Sequence, residues 1–241
     1  MVTPWHNFEG VLLVDKPAGL TSHDVVDRVR AKVRMKRVGH AGTLDPNASG
    51  LLIILVGKAT KISRYLMSLD KSYEGSLVLG KSTDSHDVEG VVIEEHKVPE
   101  LTKFEMEQKL SEFQGDQYQI PPMFSAKKVK GVALYKLARK GKEIEREPRF
   151  IRVTSIEMLD FESPKVQFRI ECSKGTYVRT IVHDLGQKIG CGAYLATLRR
   201  TAIERFLIED AISLKELEST EFGELQRILI PVYQAVPSNV L

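Results

Sequence analysis

One carboxylate of this sequence, Asp45, lies in a segment suited to displaying a reactive group. Residues 39–50 contain three glycines and an Asp-Pro step, so a ligand can approach the backbone and Pro46 stiffens the chain. An aspartate before proline is most often a turn former. Here, however, the segment leads directly into the apolar residues 51–56, and loops supported by a sheet commonly carry reactive groups. Asp45 is therefore a candidate nucleophile or proton acceptor.

Chemistry alone would allow a hydrolase with an aspartate nucleophile. Such an enzyme needs a metal-binding cluster of acids, or a second acid near Asp45. The nearest acidic pair, Asp84 and Asp87, lies in a separate polar segment, where we expect both side chains to be solvated. The hydrolase therefore stays an alternative for which the sequence offers no second acid close to Asp45.

The sequence carries no motif for a nucleotide cofactor or a structural metal. Residues 50–59 include a Gly-Lys pair, but the glycine spacing is too long for a Walker A loop and no Ser or Thr follows Lys58. No G-x-G-x-x-G follows a strand. Cys172 and Cys191 form no C-x-x-C pair, and we expect them to be buried, reduced thiols. No cofactor and no metal are predicted.

Composition permits a nucleic-acid partner without demonstrating one. The net charge of the 241 residues is only +3, so RNA contacts would need a local concentration of cations. Such a concentration follows Pro121-Pro122 and consists of Lys127, Lys128, Lys130, Lys136, Arg139, Lys140, Lys142, Arg146 and Arg149. The alternative is an ordinary solvated face. No apolar run approaches the roughly 20 residues of a membrane span, and the N-terminus does not resemble a signal peptide, so a cytoplasmic protein is expected.

Periodicity and capping signals predict interspersed strands and helices. Strands are expected at residues 11–14, 51–56, 73–79, 91–95, 150–161 and 165–172, and helices at 58–67 and 177–189. Three further helices should begin at capping boxes, formed by Thr21 with Asp24, Thr102 with Glu105, and Ser213 with Glu216. Residues 39–50 are expected to form a loop. This order favours an α+β fold with a mixed, mainly antiparallel central sheet flanked by helices.

The segment around Asp45 resembles a family signature. Residues 39–52, GHAGTLDPNASGLL, are similar to the signature of the TruB family of pseudouridine synthases. Five further blocks of that family follow its order, at residues 14–19, 71–73, 120–128, 172–180 and 194–201. The similarity spans nearly the whole chain.

The resemblance implies a pseudouridine synthase fold and a reaction on RNA. Its substrate would be the uridine at position 55 in the T-loop of transfer RNA, everted from the RNA before chemistry. Asp45 matches the family's catalytic aspartate, and either attacks the nucleotide covalently or stabilises an electron-poor sugar and moves a proton. Arg179 would hold this carboxylate. Tyr73 would stack on the target base and help to remove its C5 proton.

The resemblance also implies residues that bind or surround the RNA. His40 would replace contacts that the RNA loses on eversion, whereas Lys16, Tyr177 and Leu198 would line or support the pocket. An insertion at about residues 120–150 would grip the RNA through phosphate contacts, with Lys127, Lys128 and Lys130 among its cations. Without the family, ordinary packing would explain Lys16, Tyr177 and Leu198 equally well.

The sequence departs from the family pattern at three places. Phe124 stands where a tyrosine is common, and Glu204 where glycine is common. Only about 40 residues follow Thr201, so a single catalytic domain over residues 1–241 is expected, without the C-terminal RNA-binding module called PUA. A monomer with no obligatory protein partner is expected. Two alternatives to an active synthase remain: an RNA-binding or tRNA-folding protein without turnover, and the hydrolase.

Overall fold

The computed structural model describes residues 8–125 and 144–240, together with the backbone of residues 128–129 and 132–133. Among these residues, no helix is both long and apolar enough to span a bilayer. The chain divides into two compact units. The first unit consists of Met1–Tyr73 and Arg199–Leu241, and the second of Glu74–Leu198.

Strands of the first unit surround the central strand β3. The strands that lie wholly in this unit are β1 (Gly10–Lys16), β2 (Val38–Ala41), β3 (Ser49–Val56), β13 (Phe206–Leu207) and β14 (Ile212–Ser213). Two longer strands contribute residues to both units, β4 (Lys71–Leu79) and β12 (Ala193–Ile203). β3 pairs antiparallel with β1 and β2 and parallel with the end of β12. The three neighbours therefore fix the strand that follows Asp45.

Helices of the first unit are short apart from the first. They are α1 (Ser22–Val33), α2 (Ser63–Ser68), α5 (Leu214–Ser219), α6 (Phe222–Ile228) and α7 (Val232–Ala235), with 3₁₀ helices at Gly57–Ile62, Ile208–Asp210 and Ser238–Val240. The predicted helix over residues 58–67 is thus a 3₁₀ turn continued by α2. A 3₁₀ helix has 3.0 residues per turn and an α-helix 3.6, so the spacing of the apolar residues alone could not distinguish a 3₁₀ helix from an α-helix here.

The apolar strand β3 is buried on both faces, as residues 51–56 predict. Leu52 and Ile54 pack in one apolar cluster with Val25 and Val29 of α1. The alternate residues of β3 pack in a second cluster on the opposite face, with α2 and the C-terminal segment. Burial on both faces makes β3 a rigid support, because a shift of register would place its apolar side chains against the wrong neighbours.

The second unit is built on long antiparallel strands. Besides parts of β4 and β12 it contains β5 (Lys81–Thr83), β6 (Val92–Glu95), β7 (Gly115–Gln119), β8 (Lys128–Val129), β9 (Val132–Ala133), β10 (Arg149–Glu162) and β11 (Lys165–Cys172). Its sheet has the order β12-β4-β11-β10-β7. The helices α3 (Lys103–Ser111) and α4 (Val178–Ile189) belong to this unit. The expected fold class, a mixed, mainly antiparallel sheet with flanking helices, is confirmed.

Local signals located the helix starts at the capping boxes well and several strands poorly. All three predicted capping boxes are present, at Thr21, Thr102 and Ser213. The predicted loop over residues 39–50 is wrong at both ends, because β2 includes residues up to Ala41 and β3 begins at Ser49. The sequence also predicts no element where β12 lies. β2 depends on hydrogen bonds to β3, and β12 on hydrogen bonds to β3, β4 and β13, and local periodicity does not report such pairing.

Glu204 adopts the backbone conformation that glycine favours. It is the first of two residues that connect β12 to β13, since Ile203 pairs with Phe206. Its φ is +49°, and its N–H donates to the Asp70 carbonyl at 3.1 Å. A positive φ at the first position of a two-residue hairpin turn explains why glycine is common there in the family that the sequence resembles.

Gly50 is required by the close approach of β12 to β3. A Cβ atom at Gly50 would lie 2.2 Å from the Arg200 carbonyl oxygen, and the φ of Gly50 is +103°. We predict that Gly50→Ala lowers the free energy of unfolding by about 3 kcal/mol, because the methyl group meets backbone that cannot move away. Chemical denaturation measures this change.

Gly223→Ala is the matched control. Gly223 lies in α6, where a Cβ atom would meet no other atom within 4 Å. This variant should gain about 0.5–1 kcal/mol. Equal stability of the two variants would contradict the steric argument.

Candidate active site

Backbone hydrogen bonds fix the loop that carries Asp45. The loop spans residues 42–48, between β2 and β3. Ser22, the first residue of α1, donates from Oγ to the Leu44 carbonyl at 3.1 Å and accepts from the Leu44 N–H at 2.9 Å. The Ala48 N–H donates to the Asp45 carbonyl at 3.1 Å. Because the peptides on both sides of Asp45 are held, its half-buried side chain is displayed from a fixed position.

Lys16 anchors the same loop from the end of β1. Its side chain is fully buried, and Nζ donates to the carbonyls of Pro17 at 2.9 Å, Leu20 at 2.7 Å and Pro46 at 3.1 Å. The Pro46 carbonyl also accepts from the Gly19 N–H at 2.9 Å. Lys16 thus links the turn after β1 to the residue next to Asp45, from a position beneath the surface.

Arg200 holds the other side of the loop and contacts Tyr73. Its guanidinium, 1% exposed, donates from Nε to the Leu51 carbonyl at 2.7 Å, and from Nη1 and Nη2 to those of Thr43 and Gly42 at 3.4 and 3.1 Å. The Tyr73 phenol is hydrogen-bonded to it as well. Burial lowers the pKa of Arg200, whereas Tyr73 opposes that shift. The candidate nucleophile's loop and the candidate stacking residue therefore share one buried cation.

His40 lies in β2 and not in a loop, which corrects the expectation from the sequence. It pairs with Ile54 of β3 and is half-buried. Burial lowers the pKa of His40, and the charges of Arg200 and His23 lower it further. Within the described residues its Nδ1 is buried and lacks a hydrogen-bond partner. The ring is therefore neutral near pH 7.

In the second unit, the guanidinium of Arg179 is nearly buried and fixed by three acceptors. Nη1 donates to the Ser85 carbonyl at 3.2 Å and to Asp87 Oδ2 at 3.1 Å, and Nη2 donates to the Phe124 carbonyl. The expectation that Asp87 is solvated is wrong, since this ion pair leaves its side chain only 14% exposed. Phe124 contributes its backbone, so the family's missing tyrosine hydroxyl plays no part in this contact.

Two histidines stack beside the Arg179 ion pair. The rings of His86 and His183 are parallel within 3°, with centroids 3.9 Å apart. Burial lowers the pKa of His86 to about 3, and the neighbouring His183, Arg179 and Arg146 act in the same direction. Burial also lowers the pKa of His183. Both rings are thus uncharged at neutral pH, which suits a site already holding a buried guanidinium.

Tyr177 and Leu198 lie in the same unit as Arg179. The Tyr177 N–H donates to Gln119 Oε1 at 2.8 Å, and Gln119 Nε2 donates back to the Tyr177 carbonyl at 3.1 Å. The Arg179 guanidinium lies 5.9 Å from the centroid of the Tyr177 ring. Leu198 is half-buried in β12. Gln119 therefore fixes the start of α4, two residues before Arg179.

The predicted RNA-gripping cations fall outside what the structure describes. Lys127 and Lys130 are not among the described residues, and of Lys128 only the backbone is described. In the described parts of the chain, no three acidic, histidine or cysteine side chains are grouped as metal ligands. Cys172 and Cys191 are both buried and are not joined in a disulfide, as expected from their spacing.

Two family models match this chain. The model for "TruB family pseudouridylate synthase (N terminal domain)" matches residues 30–178, and the model for "tRNA pseudouridylate synthase B C-terminal domain" matches residues 179–237. The chain belongs to the TruB family. Curated relatives of this chain are tRNA pseudouridine synthases, which are isomerases.

Curated TruB relatives cover the whole chain. The tRNA pseudouridine synthase B of Opitutus terrae is 59% identical over 240 residues, and the alignment covers 100% of both proteins. That of Syntrophotalea carbinolica is 44% identical over 227 residues, covering 94% of this chain and 74% of the relative. The similarity thus includes every segment that carries a candidate site residue.

Solved structures with the same fold are longer than this chain. A chain in the crystal structure of a Cbf5-Nop10-Gar1 complex superposes with a TM-score of 0.74 and 29% identity, over 94% of this chain and 61% of that one. A chain in an H/ACA RNP bound to a substrate RNA containing 2'-deoxyuridine gives 0.71 and 27%, over 96% and 62%. The chain therefore shares the architecture of these two longer chains over nearly its whole length.

Four residues that support the candidate site were absent from the sequence prediction. Ser22, Asp87, Gln119 and Arg200 all hold a candidate residue or its loop through hydrogen bonds. The TruB block at residues 194–201 includes Arg200, so the signal existed, but a basic residue on a strand predicts a surface position. Only the fold shows that this side chain is buried.

Lys16 should contribute both to the stability of the protein and to its rate of turnover. Lys16→Met removes the hydrogen bonds that a buried ammonium donates to three carbonyls, so we predict a loss of about 3 kcal/mol in the free energy of unfolding and slower turnover, since Pro46 adjoins Asp45. Denaturation and a rate assay measure the two effects. Lys58→Met is the control, because the Lys58 side chain is 71% exposed and its ion pair with Glu9, at 3.5 Å, is solvated. The free energy of unfolding of this variant should differ from that of the parent protein by less than about 0.5 kcal/mol. Similar losses in both variants would refute the anchoring role.

His86 should make the protein less stable in acid. The unfolded chain binds a proton at His86 near pH 6.5, whereas the folded pKa is about 3. Stability from this residue is therefore fully present above pH 6.5. It falls toward pH 3 by up to about 1.4 kcal/mol per pH unit.

His86→Asn should flatten the fall in unfolding free energy between pH 6.5 and 4, measured by denaturation at several pH values. Asparagine suits the φ of +67° at this position and does not titrate. The parent protein, measured in parallel over the same pH range, gives the reference slope. An unchanged slope in His86→Asn would show that His86 does not resist protonation.

Proposed function

We propose that this TruB protein converts the uridine at position 55 in the T-loop of transfer RNA to pseudouridine, with Asp45 as its reactive group. The relative from Opitutus terrae that shares its full length, and the relative from Syntrophotalea carbinolica that matches 94% of it, are both tRNA pseudouridine synthases. The observation that carries the role of Asp45 is the fixed loop of residues 42–48, whose carbonyls are bound by Lys16 and Arg200. A loop fixed before the substrate arrives avoids reorganisation during the reaction.

The reaction rearranges a single nucleotide and needs no external reactant. The bond between ribose C1′ and uracil N1 breaks, the base rotates, and a bond forms between C1′ and C5. The proton at C5 leaves, and N1 gains a proton, so that atoms and electrons balance. An ionised Asp45 can attack the sugar or the base and stay covalently bonded to it until the new bond forms. Alternatively, it can stabilise the electron-poor sugar and transfer the proton. Either route uses the carboxylate at the centre of the reaction.

Tyr73 and Arg179 support this chemistry in the proposal. Tyr73 stacks on the everted uracil and assists loss of the C5 proton. Arg179 holds the Asp45 carboxylate ionised and aimed, as the family resemblance implies. Its guanidinium is suited to this role, because Asp87 and two carbonyls fix its position within its own unit.

Recognition of the RNA is assigned to residues around this centre. His40, with a neutral ring and a buried Nδ1, replaces contacts that the uridine loses on eversion. Tyr177 and Leu198 line the base pocket, and Lys16 supports it from below. Lys127, Lys128 and Lys130 bind phosphates, which gives affinity without sequence choice. Specificity then comes from the folded T-loop and the everted base.

A TruB protein that binds and folds tRNA without turnover is the second candidate. It would retain the RNA-binding residues and dispense with a fixed nucleophile. The hydrogen bonds to the peptides around Asp45 favour catalysis, because a binding surface does not require that one carboxylate be displayed rigidly.

Asp45→Asn should abolish isomerisation without abolishing binding. Unmodified tRNA carrying tritium at uridine C5 releases label when the C5 proton leaves. We predict release by the parent protein and at least about a 10³-fold slower release by the variant, since asparagine is neither nucleophile nor base. A filter-binding measurement on the same variant should show that tRNA is still bound.

Asp27→Asn is the matched control for this assay. Asp27 lies in α1 with its side chain 55% exposed and pairs with Arg30, so its substitution should leave tritium release unchanged. Release by Asp45→Asn at the parental rate would remove Asp45 from the mechanism. Binding without release by the parent protein would favour the second candidate.

A further inference from the structure

Arg200 is a buried cation that stability alone does not explain. Its side chain is 1% exposed. Within residues 8–125 and 144–240, its hydrogen-bond partners are backbone carbonyls and the Tyr73 phenol, and no carboxylate pairs with it. Burying a guanidinium costs several kcal/mol unless an anion compensates. A site that retains such a charge has a use for it beyond packing.

Apart from the Leu51 carbonyl in β3, the acceptors of Arg200 belong to two groups that the reaction must bring to the same nucleotide. Gly42 and Thr43 are the first two residues of the loop that displays Asp45. Tyr73 lies in β4, so its position is set by a different strand. Because a guanidinium has donors only, the Tyr73 oxygen must accept its hydrogen bond. The planar fork of N–H groups fixes the directions of these contacts together.

We propose that Arg200 is a positioning residue that couples Asp45 to Tyr73, by holding the Asp45 loop and the Tyr73 phenol with one guanidinium. The proposal rests on the proposed function, since it concerns the same nucleotide. With the cation in place, the separation between the carboxylate's loop and the phenol stays fixed while the everted base enters. Without the guanidinium, the Asp45 loop stays attached to β3 and Tyr73 stays in β4, but the distance between the carboxylate and the phenol is no longer fixed.

The preceding arginine supplies a matched control. Arg199 lies next to Arg200 on β12, but its side chain is 42% exposed and pairs with Asp15 at 2.7 Å. Successive residues of a strand point to opposite faces. A lysine at position 199 keeps the charge and can keep the ion pair, whereas a lysine at position 200 cannot reproduce the fork.

The test combines single-turnover tritium release at saturating enzyme, the tRNA dissociation constant, and thermal unfolding. The proteins are the parent, Arg200→Gln, Arg200→Lys, Tyr73→Phe, the double variant Arg200→Lys/Tyr73→Phe, and Arg199→Lys. We expect Arg200→Gln to release tritium about 100-fold more slowly, with an unchanged dissociation constant and with partial recovery in Arg200→Lys. Arg199→Lys should behave as the parent.

The double variant separates positioning from a general loss of structure. If Arg200 acts partly through Tyr73, the loss of rate in the double variant is smaller than the product of the two single losses by about 10-fold. Additive losses, within about twofold, would overturn the proposal, as would parental rates in Arg200→Lys. If Arg200→Gln fails to fold, the cycle built on lysine and phenylalanine decides alone. An inactive parent protein would instead contradict the proposed function itself.

Discussion

Two buried cations beneath one loop are the constraint on which this site depends. Lys16 and Arg200 are 0% and 1% exposed, and together they donate to carbonyls on either side of Asp45. Backbone carbonyls are weak partners for full charges, so the arrangement persists only while every donor is satisfied. A protein selected for stability alone would place apolar side chains here. The loop is thus held rigidly at a cost in folding free energy.

That cost is understandable if the loop must present a carboxylate to an RNA nucleotide. RNA arrives with its own water and counterions, and a mobile loop would have to be ordered at the moment of reaction. Gly50 lets the backbone of Arg200 lie against β3, and β3 is buried on both faces. The core therefore fixes β3, β3 fixes the backbone of Arg200, and the Arg200 side chain fixes the loop that carries Asp45. In the second unit, Asp87 plays the corresponding part for Arg179.

How far the sequence predicts this molecule depends on the range of each interaction. The strand after Asp45 and the boxes at Thr21, Thr102 and Ser213 were predictable, because their signals lie within a few residues. The strand β2 was not, since its four residues carry too little periodicity to outweigh Gly39 within it and Gly42 directly after it. The family motif located Asp45. It could not show that the partner of Arg179 lies 92 residues away in the chain, or that Arg200 is buried.

The most direct test is a crystal structure of the Asp45→Asn variant bound to the T-arm of tRNA. We predict that uridine 55 is everted, with its C1′ about 3.5 Å from the side chain of residue 45, and with the loop carbonyls still bound by Lys16 and Arg200. A complex in which uridine 55 remains stacked within the T-loop, or in which another part of the protein receives it, would contradict the account.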